Sequence, residues 1–136
     1  MTPQEFLTAM AETASSHDFE AHMNLISKDV KVFGVPNFEE VSYDDWFNQC
    51  KEEFDNNLIA SISYSDLEIR SETPEEIFFV AIESIEATDG NSNCSRIQFL
   101  IRKEDDGQWR VVMERIMPED DSETETQTVN VMDLLQ

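Results

Sequence analysis

The chain has 136 residues, 40% hydrophobic and 10% aromatic, which suits one domain with a core of its own. Nine Lys and Arg against thirty Asp and Glu give a formal charge of −21, a field that repels phosphate backbones and anionic membrane surfaces and so argues against both as partners. No apolar run approaches the roughly 20 residues that span a bilayer, and MTPQEFLTAM lacks the basic flank and apolar stretch of a signal peptide, so a cytoplasmic protein is expected.

Thr2-Pro3-Gln4-Glu5 is a capping box with Pro at the first helical position. Phe6, Leu7, Met10, Ala11 and Ala14 follow on one side, which predicts a helix over Pro3–Ser15. Ser16-His17-Asp18 breaks it, and Asp18 caps a second, shorter helix expected to run to about Ser27. Glu20, Asn24 and Ser27 share its polar side, while Phe19, Ala21, Met23, Leu25 and Ile26 fill the remaining arc. His22 falls inside that apolar arc. Lys28-Asp29 leads into a short strand, Val30–Phe33, ended by Gly34 and Pro36. A second capping box, Ser42-Tyr43-Asp44-Asp45, opens a helix over Tyr43–Phe54 with an apolar stripe of Tyr43, Trp46, Phe47, Cys50 and Phe54.

Period-two, β-branched patterning then predicts strands at Ile59–Ser71, Ile77–Ala87, Cys94–Glu104 and Gln108–Met117. Their links carry turn residues, and short links favour antiparallel neighbours, so the second half reads as a meander. In Ile77–Ala87 both parities are apolar, with Ile77, Phe79, Ala81 and Ile85 on one and Phe78, Val80 and Ile82 on the other. A second copy of the chain on the outer face is one way to cover the excess. Residues 1–118 form the expected domain, followed by an acidic tail, 119–136, that ends in VNVMDLLQ. Cys50 and Cys94 have no metal-ligand or CxxC spacing and read as two small buried hydrophobes.

This order of helices, strand, helix and meander is an α+β arrangement. It resembles the nuclear-transport-factor-2-like superfamily, the group with the SnoaL-like polyketide cyclases and the ketosteroid isomerases. Two stretches carry the likeness: the segment from Asp18 through Leu25-Ile26 to Lys28-Asp29-Val30-Lys31-Val32, and Asp105-Asp106-Gly107-Gln108-Trp109-Arg110-Val111-Val112. The resemblance implies a cone-shaped α+β roll, with helices packed on a curved antiparallel sheet and a pocket at the open end. It also implies a homodimer. The isomerases' base and tyrosine donor would fall at Gly34 and Met10, neither of which can do that chemistry.

His22, Glu83 and Glu114 are the candidate catalytic groups, because each is a titratable side chain among apolar neighbours. Met10, Trp46 and Gln98 are the candidate ligand contacts. Strand register decides whether Glu83 and Glu114 face the pocket or pair outward with Arg96, Arg102 or Arg115. No nucleotide, zinc or serine-hydrolase motif occurs, so neither cofactor nor metal is expected. Two main readings follow. One is a domain that binds a small apolar or amphipathic molecule without chemistry. The other is a cofactor-free SnoaL-like enzyme (cyclase, dehydratase, hydrolase or isomerase) using His22 with a strand Glu. A protein-interaction module using the dimer face and tail is a third.

Overall fold

The computed structural model describes residues 1–35 and 37–117. It contains α1 (Pro3–Ser15), α2 (Phe19–Met23), β1 (Ile26–Phe33), α3 (Tyr43–Asp55), β2 (Ile59–Glu72), β3 (Glu76–Ala87), β4 (Ser92–Lys103) and β5 (Trp109–Ile116). The expected acidic tail lies outside the described residues.

The α1 capping box forms as its sequence predicts. The Glu5 amide donates to Thr2 Oγ1 at 3.1 Å, and the Thr2 amide donates to Glu5 Oε1 at 2.9 Å. Phe6, Leu7, Met10 and Ala14 are buried along one side of the helix. Phe6 meets Phe79 and Phe99 edge-on, each with ring centroids 6.3 Å away, and these three rings anchor the core.

Asp18 caps α2 through the Ala21 amide, yet the helix ends at Met23 rather than near Ser27. Contacts from the far end of the chain decide this. The Val111 amide donates to the Leu25 carbonyl at 2.9 Å, and Arg110 holds both the backbone and the side-chain oxygen of Asn24. From Ile26 the chain is therefore extended and pairs with β5, so β1 begins earlier than its local pattern suggests. Ser42 does not cap α3, because its hydroxyl turns to the Asp45 carboxylate at 3.4 Å. Asp44 and Asp45 still place negative charge at the positive end of that helix.

The five strands form one sheet in the order β1-β5-β4-β3-β2. β2 to β5 are the expected antiparallel meander, but β1 joins β5 in parallel, so the curved sheet is mixed rather than wholly antiparallel. Alternation sends Phe79, Ala81, Ile85, Ile97, Phe99 and Ile101 into the core beneath the helices. The opposite parity of β4 carries Cys94, which is exposed, whereas Cys50 on α3 is buried; both thiols are free. The expectation of two buried cysteines fails for Cys94 because its neighbours on the inward parity are Asn93 and Ser95.

Gly34 follows β1 with φ +90°, and a Cβ there would collide with the Ile116 carbonyl oxygen. No side chain fits the position at which the resemblance would set an isomerase base. Among the described residues no helix is long and apolar enough to cross a membrane.

Candidate functional site

The parity that buries Phe79, Ala81 and Ile85 also turns Glu83 inward. Across the sheet, Glu83 stands opposite Tyr64 on β2 and opposite Ser95 on β4, so the three form one row over the inner face. On β5, Glu114 pairs with Phe99 and so faces inward too, in the register restored beyond the irregularity at Leu100/Ile101. On α3, Trp46, Cys50 and Glu53 recur at the four- and three-residue steps that share a helix face. His22 enters from α2 and Met10 from α1. All of these side chains border a single cavity of about 40 Å³ between the helices and the sheet, room for a water or two.

Candidates from the sequence thus divide. His22, Glu83, Glu114, Met10 and Trp46 all line this cavity. Gln98 does not line it: it alternates with the buried Ile97 and Phe99, and its parity is the outer one. Glu53, Tyr64 and Ser95 were not singled out from the sequence. Glu53 has a usable signal, since it stands seven residues after Trp46 and three after Cys50, in line with the apolar stripe. Tyr64 and Ser95 have none without the register of β2 to β4.

The electrostatics follow from crowding acids into a small buried cavity. Burial pushes Glu53 and Glu114 up to about 8, and repulsion from Glu83 adds to both. Burial likewise lifts Glu83 to about 7, limited by the Tyr64 hydroxyl, which donates to Glu83 Oε2 at 2.7 Å. Burial and the nearby carboxyls also raise the Cys50 thiol and the Tyr64 phenol, so both keep their protons. His22 moves the other way. Burial lowers it to about 4, partly offset by the Met10 carbonyl. The Thr13 hydroxyl lies 2.8 Å from His22 Nδ1 and donates to the Ala9 carbonyl at 2.8 Å. Its single hydrogen is thereby used, so Nδ1 carries the ring proton and Nε2 keeps a lone pair. His22 is a neutral wall group at physiological pH, not an acid.

A larger, open groove of about 980 Å³ runs along α2, β1 and the β4–β5 turn. Within it Arg110 pairs with Glu104 and Asp106, and Ser27 donates to Glu104 at 2.6 Å. That network ties the β4–β5 turn to β1. Among the described residues no cluster of His, Cys, Asp or Glu could hold a metal ion.

Residues 4–116 match the sequence model of the SnoaL-like domain. The chain belongs to the SnoaL-like family. Solved structures with the nuclear-transport-factor-2-like fold superpose on 83% to 93% of this SnoaL-like chain. An NTF2-like protein of unknown function from Pseudomonas putida is 11% identical with a TM-score of 0.70, covering 93% of this chain and 89% of its own. Another from Shewanella oneidensis is 14% identical with a TM-score of 0.70, covering 83% and 93% respectively. A third, provisionally named a dehydratase of the NTF2-like family from Streptomyces avermitilis, is 18% identical with a TM-score of 0.65, covering 87% and 99%. A search of the curated proteins finds no match. At these identities the likeness carries the fold.

The acid cluster links stability to pH with a definite sign. A carboxyl whose folded value is raised contributes stability that is present below its ordinary value of 4.5 and lost as pH rises through about 7 to 8. His22, lowered to about 4, contributes stability present above its ordinary 6.5 and lost as pH falls through about 4. Above pH 6.5 only the glutamates act, so thermal unfolding followed from pH 6.5 to 8.5 should show falling stability. The slope approaches about 1.4 kcal/mol per pH unit for each group that titrates. Glu114→Gln should remove one group's share and flatten the decline; an unchanged slope would contradict the assignment.

Proposed function

We propose that this protein is a cofactor-free enzyme of the SnoaL-like kind that takes the reacting end of a small molecule into the cone cavity and moves a proton to and from it. One observation carries the reading: three glutamates and a tyrosine converge on one cavity, with the tyrosine hydroxyl 2.7 Å from one carboxylate. A base and an acid of similar, near-neutral proton affinity are what proton transfer at carbon requires.

The roles follow from the environments. Glu83 has the lowest proton affinity of the three, about 7, and Tyr64 holds its charged form, so Glu83 is the base. Glu114, raised to about 8, keeps its proton at neutral pH and is the acid. Tyr64 is a positioning residue acting through Glu83. His22 serves as a neutral wall and acceptor, a smaller part than that of the acid or base expected of it. Met10 and Trp46 shape the apolar side of the space. In the simplest step, Glu83 takes a proton from a carbon beside a carbonyl, and the C–H electron pair moves toward the carbonyl oxygen. Glu114 then delivers its proton to oxygen, either the enolate or a departing hydroxyl. Proton count in the site is conserved. Loss of water by the second route would suit the provisional name of the Streptomyces avermitilis neighbour.

The same reading includes a homodimer. Phe78 and Ile82 on β3 and Leu100 on β4 share the outer parity of the sheet and are only half-buried, apolar surface that a second copy would cover. Sedimentation at micromolar concentration should give a species of twice the 15.7 kDa chain; a monomer alone would remove this part.

Proton transfer can be read without knowing the physiological substrate. A panel of small β-hydroxy carbonyl compounds is incubated with the protein in deuterated water, and deuterium at the α-carbon is followed by NMR. Exchange should be catalysed, with a bell-shaped optimum between about pH 7 and 8 set by the coupled carboxyls. Glu83→Gln and Glu114→Gln should each reduce it by about 100-fold or more. Exchange that survives both substitutions, or none with any compound, counts against the enzyme reading and leaves a binding domain.

A further inference from the structure

The groups that titrate around the cavity are His22 from α2, Cys50 and Glu53 from α3, Tyr64 from β2, Glu83 from β3 and Glu114 from β5. No Lys or Arg is among its lining residues, and His22 is a neutral ring. Every group there that gains charge on titrating near neutrality is therefore an acid. Buried anions with no counter-charge are costly, and in the free protein retained protons neutralise them. A ligand that brings its own positive charge can take the place of those protons.

A second observation is independent of the acids. Ser95 is only 6% exposed, borders the cavity, and its Oγ has no hydrogen-bond partner. Among the described residues it is the one fully buried side-chain oxygen or nitrogen without a partner. Buried polar groups without partners are rare. With the carboxyls of Glu53, Glu83 and Glu114, the cavity wall offers oxygens able to accept around one space. An ammonium offers three donors and no acceptor, whereas an alcohol offers one donor. The rings of Trp46 and Tyr64, which border the same space, attract cations to their faces.

We propose that the cavity binds the ammonium end of a small organic amine, with Glu53, Glu83 and Glu114 as anionic acceptors and Ser95 Oγ as a neutral one. The volume of about 40 Å³ admits a head of about two heavy atoms. Binding releases protons, because carboxyls that hold them in the free protein become carboxylates beside the ammonium. The proposal rests on the cavity being a ligand site, as in the reading above, and not on transfer of a proton to carbon.

Calorimetry of the whole chain with methylammonium and propylammonium, against methanol and propanol, tests it at pH 6, 7 and 8. Each titration is run in two buffers of different protonation enthalpy. The amines should bind at least tenfold more tightly than the alcohols, and their affinity should rise several-fold per unit from pH 6 to 8. About one proton should be released per amine at pH 7. Glu83→Gln and Glu114→Gln should each weaken amine binding about tenfold and flatten its pH dependence, with Ser95→Ala causing a smaller, several-fold loss. Alcohols binding as well as amines, or amine binding indifferent to pH and to all three substitutions, would overturn the proposal. If amines fail while deuterium exchange at carbon persists, this proposal alone falls. If both fail, the cavity is not a ligand site.

Discussion

Three carboxyl groups share one small cavity with no Lys or Arg among the residues lining it, and the chemistry of this molecule depends on that constraint. A buried carboxylate without a cation costs several kcal/mol, so the groups neutralise by keeping protons. The result is a set of acids whose proton affinities lie near physiological pH rather than three units below it. Mutual repulsion reinforces the effect, since Glu83 pushes up both of its neighbours. The cluster is therefore one titrating system.

Such a cluster subtracts from stability, and the core beside it compensates. Next to the acids on the inner face, Phe6, Phe79 and Phe99 pack on one another, and α1 is fixed over them by its capping box. The sheet edge is secured by Arg110, which binds Asn24, Glu104 and Asp106 and so locks α2 and β1 against β5. Tyr64, Glu83 and Ser95 sit on adjacent paired strands rather than on loops, so their spacing is set by the ladder itself. After β1, Gly34 lets the Ile116 backbone approach so closely that no side chain fits there.

Local signals were legible in the sequence wherever local interactions decide the structure. The Thr2 and Asp18 caps, the α1 stripe and the alternation of β3 and β4 all rest on residues within a turn or a strand of each other. Expectations failed where distant pairing won. The end of α2 is set by β5, and the parallel edge of the sheet has no signature in β1 itself. The site divides along the same line. His22, Glu83 and Glu114 stand out as polar residues at apolar positions, and so did Gln98, which register places outside. Tyr64 was hidden because β2 carries three register shifts and Asp66 at φ 56°, which break its period of two. Glu53 was hidden because the apolar stripe was followed from Cys50 to Phe54, although Glu53 also continues the line of Trp46 and Cys50.

The central claim, that these acids hold protons at neutral pH, is open to direct observation. In protein labelled with 13C at the glutamate side-chain carboxyls, each resonance shifts as its group ionises. The signals of Glu53, Glu83 and Glu114, assigned by substitution to Gln, should stay in their protonated position past pH 6 and move together with midpoints between about 7 and 8. If all three instead titrate near the ordinary carboxyl value of 4.5, the cavity does not hold its acids neutral and the account fails.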